Sequence, residues 1–566
     1  MKKLLLILIF VLALFLRVYK LGQYPVGFLW DEAGLGYNAY SILKTGRDEY
    51  GKILPLIFKS FGDYKPGFYV YLTVPFVAIF GLNEFAVRLP SALFGASAIF
   101  LMYLLVKENQ RLTRMKERLP ADSAGIYADS VPLIAALLLT INPWHINFSR
   151  GAWELNVMLT EIVLSLFLFM RFFNTRKLWQ FYLGMAVLIS SLFTYQSAKL
   201  LMPVIFAGFV FFFRGKISLI PKKDKKRLLV IIIFAYLVFS LVTFVSGKAG
   251  RLKVMSVFSY PRSEDETNMI LKQDNGNRLD FAIFHSAPIF FTRSVLSRYF
   301  NHFSGKFLFI SGDWSNQRNG VIYQGEMYYL DLIFLAFGLA YLFSRKRNLW
   351  DNFMLFWLLL APVPAALTRD SISSVRSFIM VIPLIYISAI GINVFLDALR
   401  KEKAIVYKGV IFLLIVAYGF LFVRFLDLYF VHDPKFTSEN RLYGYKKAMA
   451  YVNSLGKNKN KIIFTNKYGQ PYIFYLFYSQ YDPVNYQKEA FLKENPFGDV
   501  GEVERIDNIE FRKIYFPDDQ SNKNSLFIGD EFDLPIKDIV GQEKIAFLKE
   551  VQFLNGKTAF RIVETR

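Results

Sequence analysis

The 566-residue chain has no cysteine. That excludes disulfides, thiolate metal sites and a cysteine nucleophile. Histidine is scarce: four copies, at 145, 285, 302 and 432, lie scattered along the chain, a pattern that does not suit a zinc site. There is no Gly-rich phosphate loop, dinucleotide fingerprint or zinc-finger spacing, and no internal repeat or low-complexity tract. Acids are short as well, 45 Asp and Glu against 67 Lys and Arg, for a net charge of +22. In a soluble protein that balance points to nucleic acid. No nucleic-acid motif accompanies it here, and the cations sit in short loops between apolar runs, as the positive-inside rule of membrane proteins requires.

Apolar residues are abundant: 54% of the chain is hydrophobic, with 60 Phe and 33 Tyr. Runs such as LLVIIIFAYLVFSLVTFV (228–245) carry no charge, and about 20 such residues span a bilayer as a helix. The composition therefore implies an all-α polytopic membrane protein. Residues 1–19 begin with Lys2 and Lys3 and run on apolar without a small-x-small cleavage site, which reads as an uncleaved first span.

Five basic loops, 107–118, 171–177, 214–227, 345–347 and 400–408, are assigned with the N-terminus to the cytoplasm. Spans then fall near 131–145, 155–173, 181–195, 199–213, 228–246, 327–343, 353–367, 377–397 and 409–426. Residues 67–81 and 90–106 are both apolar, but if both crossed, the basic loop at 107 would lie outside. The first is only 15 residues long and contains Pro75. It is read as a helix lying at the outer surface or re-entering, and 90–106 as the second span. That makes about eleven spans in a membrane domain, 1–426, with a long outer segment at 20–89 and a large outer loop at 247–326. The tail, 427–566, is polar with short β-like runs (KIIFT, EFRKIYF, SLFIG) and an Asn-Gly turn inside IAFLKEVQFLNGKTAFRIV, and reads as a small extracytoplasmic α/β domain. Its aromatic run GQPYIFYLFYSQYDP (469–483) is read as packing, on the membrane domain or on an acceptor.

The outer segment contains FLWDEAGLGYN, with Asp31 and Glu32 side by side. Leu35, Ala39, Ile42 and Leu43 share a helical face and Gly46 is a stop, so 31–45 reads as a short amphipathic helix with Asp31 at its start. There a carboxylate serves as a helix cap or, kept ionised by the dipole, as a general base. Cations accumulate on the same side of the membrane: Lys65 beside Tyr64 in FGDYKPGFY, Arg88 in NEFAVRLPSALFG, Arg150 with Glu154 in NFSRGAWEL, and Arg369 with Arg376 in TRDSISSVR. A single outer cation usually meets a headgroup or an acid, whereas several converging beside two carboxylates suit an anionic ligand such as a phosphate.

The stretches LRVYKLGQYPVGFLWDEAGLGYNAYSILKTG, DYKPGFYVYL, GLNEFAVRLPSALFG and NPWHINFSRGAWELN, in this order over about residues 12–175, resemble the GT-C glycosyltransferases of the family-39 type. That family includes protein O-mannosyltransferases and the lipid A aminoarabinose transferase. The resemblance implies a membrane enzyme that takes a sugar from a polyprenyl-phosphate carrier and passes it to an acceptor at the outer face of the plasma membrane. It implies that Asp31 is the base, with Glu32 beside it in the catalytic pair, and that Lys65 and Arg88 help hold the donor phosphate. Arg150 and Arg376 are added as phosphate ligands from their placement. The chain departs from the family at Tyr64-Lys65-Pro66-Gly67, where many relatives read Glu-Lys-Pro-Pro.

The residues suit that chemistry independently. Displacing a lipid phosphate from a sugar C1 needs a base for the acceptor hydroxyl and cations for the leaving group, and a lipid-borne donor needs no nucleotide site. Single displacement with inversion, using one base and no second carboxylate nucleophile, is what the family resemblance implies. The adjacent acids can both face one ion only with a distorted backbone, so the absence of a metal cofactor is favoured over the alternative, a divalent ion such as some GT-C enzymes hold on an Asp-x-Asp pair. Further candidates for substrate contact are Tyr64, Glu154, Asp313, Arg318, Tyr323 and Gln324, the last four in a stretch that also reads as an ordinary interfacial loop. Two alternatives stand beside the transferase: a transporter or flippase of lipid-linked glycans, which calls for ionisable groups at mid-membrane or a repeat, and a ligase of long lipid-linked glycans.

Overall fold

A computed structural model of the chain describes residues 2–117, 130–218, 220–227, 230, 233, 237, 254–455, 459–493 and 500–566. Most of the 228–246 span expected from hydropathy, and the start of the 247–326 loop, lie outside the described residues.

Six described helices are long and apolar enough to cross a bilayer: Glu84–Leu112, Glu154–Thr175, Ala198–Ile217, Leu349–Ala366, Ser374–Leu399 and Ala404–Thr437. The chain is thus a multi-pass membrane protein. Helices Leu178–Phe193 and Tyr329–Ser344 are apolar but shorter, and the first helix, Lys2–Val18, has 17 residues. Phe68–Phe80, at 13 residues, is about 20 Å long at ~1.5 Å per residue, against a hydrocarbon core of ~30 Å. That is shorter than a straight crossing needs.

Two boundaries differ from expectation. The expected span 131–145 is a broken pair, Val131–Ile141 and Pro143–Arg150, bent by 56°. Asn142 sits at the break, where its side chain accepts the His145 N–H at 2.9 Å, and Pro143 opens the second helix. Arg150 therefore lies on a buried helix rather than in an outer loop. The last apolar helix runs on through a wide turn at Leu428–His432 to Thr437, so the polar tail begins about ten residues later than expected.

The tail carries a six-stranded sheet in the order Arg505–Ile506, Ile509–Phe511, Lys461–Phe464, Ser525–Gly529, Thr558–Thr565, Ile545–Gln552. The central strand Lys461–Phe464 is parallel to both neighbours; the remaining pairs are antiparallel. The aromatic run forms helix Pro471–Tyr478 and packs on the outer segment: Phe477 lies 4.8 Å from Phe28, ring to ring, and the Tyr37 hydroxyl donates to the Tyr481 carbonyl at 3.1 Å.

Candidate active site

The outer segment builds the site from one helix and one hairpin. Helix Trp30–Thr45 ends at Gly46, whose φ of 68° is the left-handed conformation that glycine tolerates best. Ile57–Ser60 pairs with Asp63–Pro66 through a tight turn at Phe61 and Gly62, both with positive φ. This hairpin carries Lys65 opposite Phe58. The departure at Gly67 now has a cause: a Cβ there would lie 2.4 Å from the Phe58 ring.

The two acids divide their work. Glu32 is buried and caps its own helix, accepting the Leu29 N–H at 3.1 Å. Its Oε1 also accepts the Ala152 N–H at 2.9 Å, and both oxygens are held by Arg88. Burial alone would raise its pKa, but the Arg88 guanidinium and these bonds outweigh it and hold the carboxyl below its ordinary range. Glu32, expected in the catalytic pair, is instead committed to structure. Asp31 does not cap. Its carboxylate stays half exposed, with 46% of the side chain accessible, and pairs with Lys65. Burial works against the Lys65 charge, yet Asp31 and Glu154 outweigh it and keep the ammonium above its usual range.

Other groups reach this pair. Glu154 opens helix Glu154–Thr175 and lies within electrostatic reach of Lys65. The Arg318 guanidinium lies 5.2 Å from the Trp30 ring centre, within reach of the Asp31 charge. Tyr195 lies within electrostatic reach of Arg376, Glu154, Lys65 and Asp31. Arg376 is held by Asp370 at 2.5 Å. Gln196 donates to the Tyr64 carbonyl at 2.5 Å, fastening the hairpin to the membrane domain.

Five further expectations are corrected. Arg88 is not available to a phosphate: its five N–H groups go to Glu32 and to the Leu21, Pro25 and Gly27 carbonyls. Arg150 is wholly buried, bonded to the Leu16, Tyr19 and Tyr24 carbonyls and the Tyr429 hydroxyl, with Tyr429 and Phe430 rings against its guanidinium. It closes the end of the first helix, where carbonyls lack helical partners. Asp313 is a loop staple, accepting from the Ser315, Asn316 and Ser374 amides and the Ser374 hydroxyl. Gln324 is buried, donating to the Gly325 and Met327 carbonyls and accepting from Arg424. Tyr323 is exposed, and its contacts are with Phe436 and Arg424 rather than Asp31. Trp30, Tyr195 and Gln196 escape the sequence reading, because nothing in a lone aromatic or amide beside a span marks which way it faces.

Residues 7–115 match the protein family described as Dolichyl-phosphate-mannose-protein mannosyltransferase. No curated protein matches the chain by sequence. Among solved structures it resembles ArnT from Cupriavidus metallidurans in the apo state, at 12% identity and TM-score 0.51, and the same protein bound to undecaprenyl phosphate, at 12% and 0.52. Both alignments cover 99% of this chain and 97% of ArnT. The archaeal oligosaccharyltransferase AglB from Archaeoglobus fulgidus, in complex with an inhibitory peptide and a dolichol-phosphate, aligns at 12% and TM-score 0.48, covering 84% of this chain; the chain spans 63% of AglB's length. The near-complete overlap with ArnT shows a GT-C fold.

Proposed function

We propose that the chain is a membrane glycosyltransferase that moves a sugar from a polyprenyl-phosphate donor to a hydroxyl-bearing acceptor at the outer face of the plasma membrane. In this reading the N-terminus is cytoplasmic, residues 1–426 form the catalytic membrane domain, and 427–566 lie outside. The observation that carries it is the half-exposed Asp31 carboxylate paired with Lys65, with Arg318 in reach. Two likenesses support it: the mannosyltransferase family match spans this pair, and the ArnT structure of the same fold binds undecaprenyl phosphate.

The chemistry follows from the competition for Lys65. Without donor, Asp31 and Lys65 neutralise each other. An arriving donor phosphate, aided by Arg318 and Arg376, draws the ammonium away from the carboxylate. Asp31 then accepts the proton of the acceptor hydroxyl as that oxygen attacks the sugar C1. The C1–O bond to phosphate breaks, polyprenyl phosphate leaves with the bonding pair, and the new glycosidic bond has inverted configuration. Glu32 takes no part beyond fixing the helix that presents Asp31.

The test uses purified protein in nanodiscs and a panel of radiolabelled polyprenyl-phosphate sugars. Asp31→Asn should lower turnover of the consumed donor by ~10²–10⁴-fold, the range of a lost general base, while retaining fold and lipid binding. Full turnover by that variant overturns the assignment.

A further inference from the structure

Behind the Asp31–Lys65 pair lies an acid that the reaction above does not use. Glu49 has no solvent exposure. Its Oε1 accepts from Asn38 Nδ2 at 3.2 Å and from the Ser60 hydroxyl at 3.1 Å, and its own N–H donates to Asn38 Oδ1 at 3.0 Å. Asn38 belongs to the helix that carries Asp31, and Ser60 to the hairpin that carries Lys65. The same Asn38 amide reaches the Gly34 carbonyl at 3.0 Å. Gly34 meets the Phe61 ring, over which Lys65 lies at 5.6 Å. One carboxyl thus ties together the two elements whose register sets the distance between base and cation.

A buried carboxyl is an expensive way to make a tie. Among the described residues Glu49 Oε2 has no hydrogen-bond partner, and burial pushes its pKa up to about 8, against the bonds from Asn38 and Ser60. An aliphatic residue would fill the space without that cost, but it cannot bond both elements at once.

We propose that Glu49 is a positioning residue, which through Asn38 and Ser60 fixes the hairpin against the helix and so sets Lys65 beside Asp31. The role rests on the transferase reading for its consequence and on geometry alone for its mechanism. The titratable groups around Glu49 are Asp48 and Tyr50 on its own loop, Lys65 on the hairpin, Tyr37 on the helix, and Tyr472 and Tyr486 from the tail.

The experiment compares Glu49→Ala with the isosteric Glu49→Gln, which keeps an acceptor oxygen in place. Glu49→Ala should lower kcat at least tenfold, Glu49→Gln should stay within threefold of the parent, and Ser60→Ala, which removes one of the two bonds, should fall between them. Equal loss in Glu49→Ala and Glu49→Gln, or no loss in either Glu49→Ala or Ser60→Ala, overturns the role. A second readout needs no turnover and survives failure of the transferase reading. The chain has no native cysteine, so spin labels on cysteines placed at Lys44 and Lys59 report the helix–hairpin distance directly. The distribution should be narrow in the parent and Glu49→Gln and broad in Glu49→Ala; a narrow one in Glu49→Ala refutes the tie. A pH signature accompanies it. A carboxyl whose pKa is raised on folding stabilises most below its ordinary value near 4.5 and loses that contribution as pH rises through about 8. The thermal midpoint of the parent should therefore fall relative to Glu49→Gln between those limits, and parallel curves would count against a neutral, buried tie.

Discussion

Arg88 closes on Glu32 from both sides of its fork, Nε at 2.8 Å from one carboxylate oxygen and a terminal nitrogen at 3.0 Å from the other, with both side chains almost fully enclosed. The remaining N–H groups of Arg88 hold the carbonyls of Leu21, Pro25 and Gly27. One guanidinium therefore joins the loop after the first helix, the start of the acid-bearing helix and the Glu84–Leu112 span. Breaking a buried pair by deleting one partner strands the other, which costs about 3–5 kcal/mol.

Arg88→Ala should accordingly act on the fold. We expect a loss of thermal stability of that order, read as the unfolding midpoint of purified protein. A normal midpoint combined with lost donor affinity would return Arg88 to the phosphate site.

This pair shows what the sequence conveys and what it withholds. Hydropathy places the helices, Gly46 ends the acid-bearing helix, and the Asn-Gly turn marks the last hairpin, because each of these is local chemistry written in a few neighbouring residues. That Asp31 and Lys65 belong to one site was expected from the short motifs that carry the family resemblance, but their direct pairing was not. The division between Asp31 and Glu32 was not. Adjacent acids on a helix face directions about 100° apart, and only the packed structure tells which of them meets Arg88. The same holds for Arg150, Asp313 and Gln324, polar residues in outward loops by sequence and fasteners of backbone in the fold. Glu49 was passed over because its partners, Asn38 and Ser60, lie 11 residues away on either side.

The Glu32 carboxyl gives the protein an acid-sensitive fastening. Its pKa is lowered on folding, chiefly by Arg88 acting against burial, so its contribution is present above the ordinary value of 4.5 and is lost as pH falls below it. Glu32→Gln should be less stable near neutrality and show a shallower fall in melting temperature below pH 4.5 than the parent. An unchanged acid slope would mean that this carboxyl does not govern the transition.

Lys65 should matter for donor capture more than for folding. Charged hydrogen bonds are worth about 1.5–3 kcal/mol, so Lys65→Met should weaken binding of a polyprenyl phosphate by roughly 10–100-fold. Arg376→Ala should cost less, because Asp370 already holds that guanidinium. Titration of each variant in nanodiscs checks both, and parent-like affinity in the two together would remove the phosphate from this site.

Metal dependence follows from where the carboxylates are spent. Asp31 is engaged by Lys65, while Glu32 is filled by Arg88 and the Leu29 and Ala152 amides. Among the described residues no three His, Asp or Glu side chains converge as a metal site. A divalent ion needs several free oxygens at ~2.0–2.6 Å, and drawing Glu32 into such a shell would strand the buried Arg88. In the proposed reaction the neutralisation of the leaving phosphate is assigned to Lys65, Arg318 and Arg376. We expect turnover of the radiolabelled donor to be unaffected by excess chelator and by added Mg²⁺ or Mn²⁺. Loss of turnover on chelation, restored by one of these ions, would show that the cations alone do not carry the leaving group.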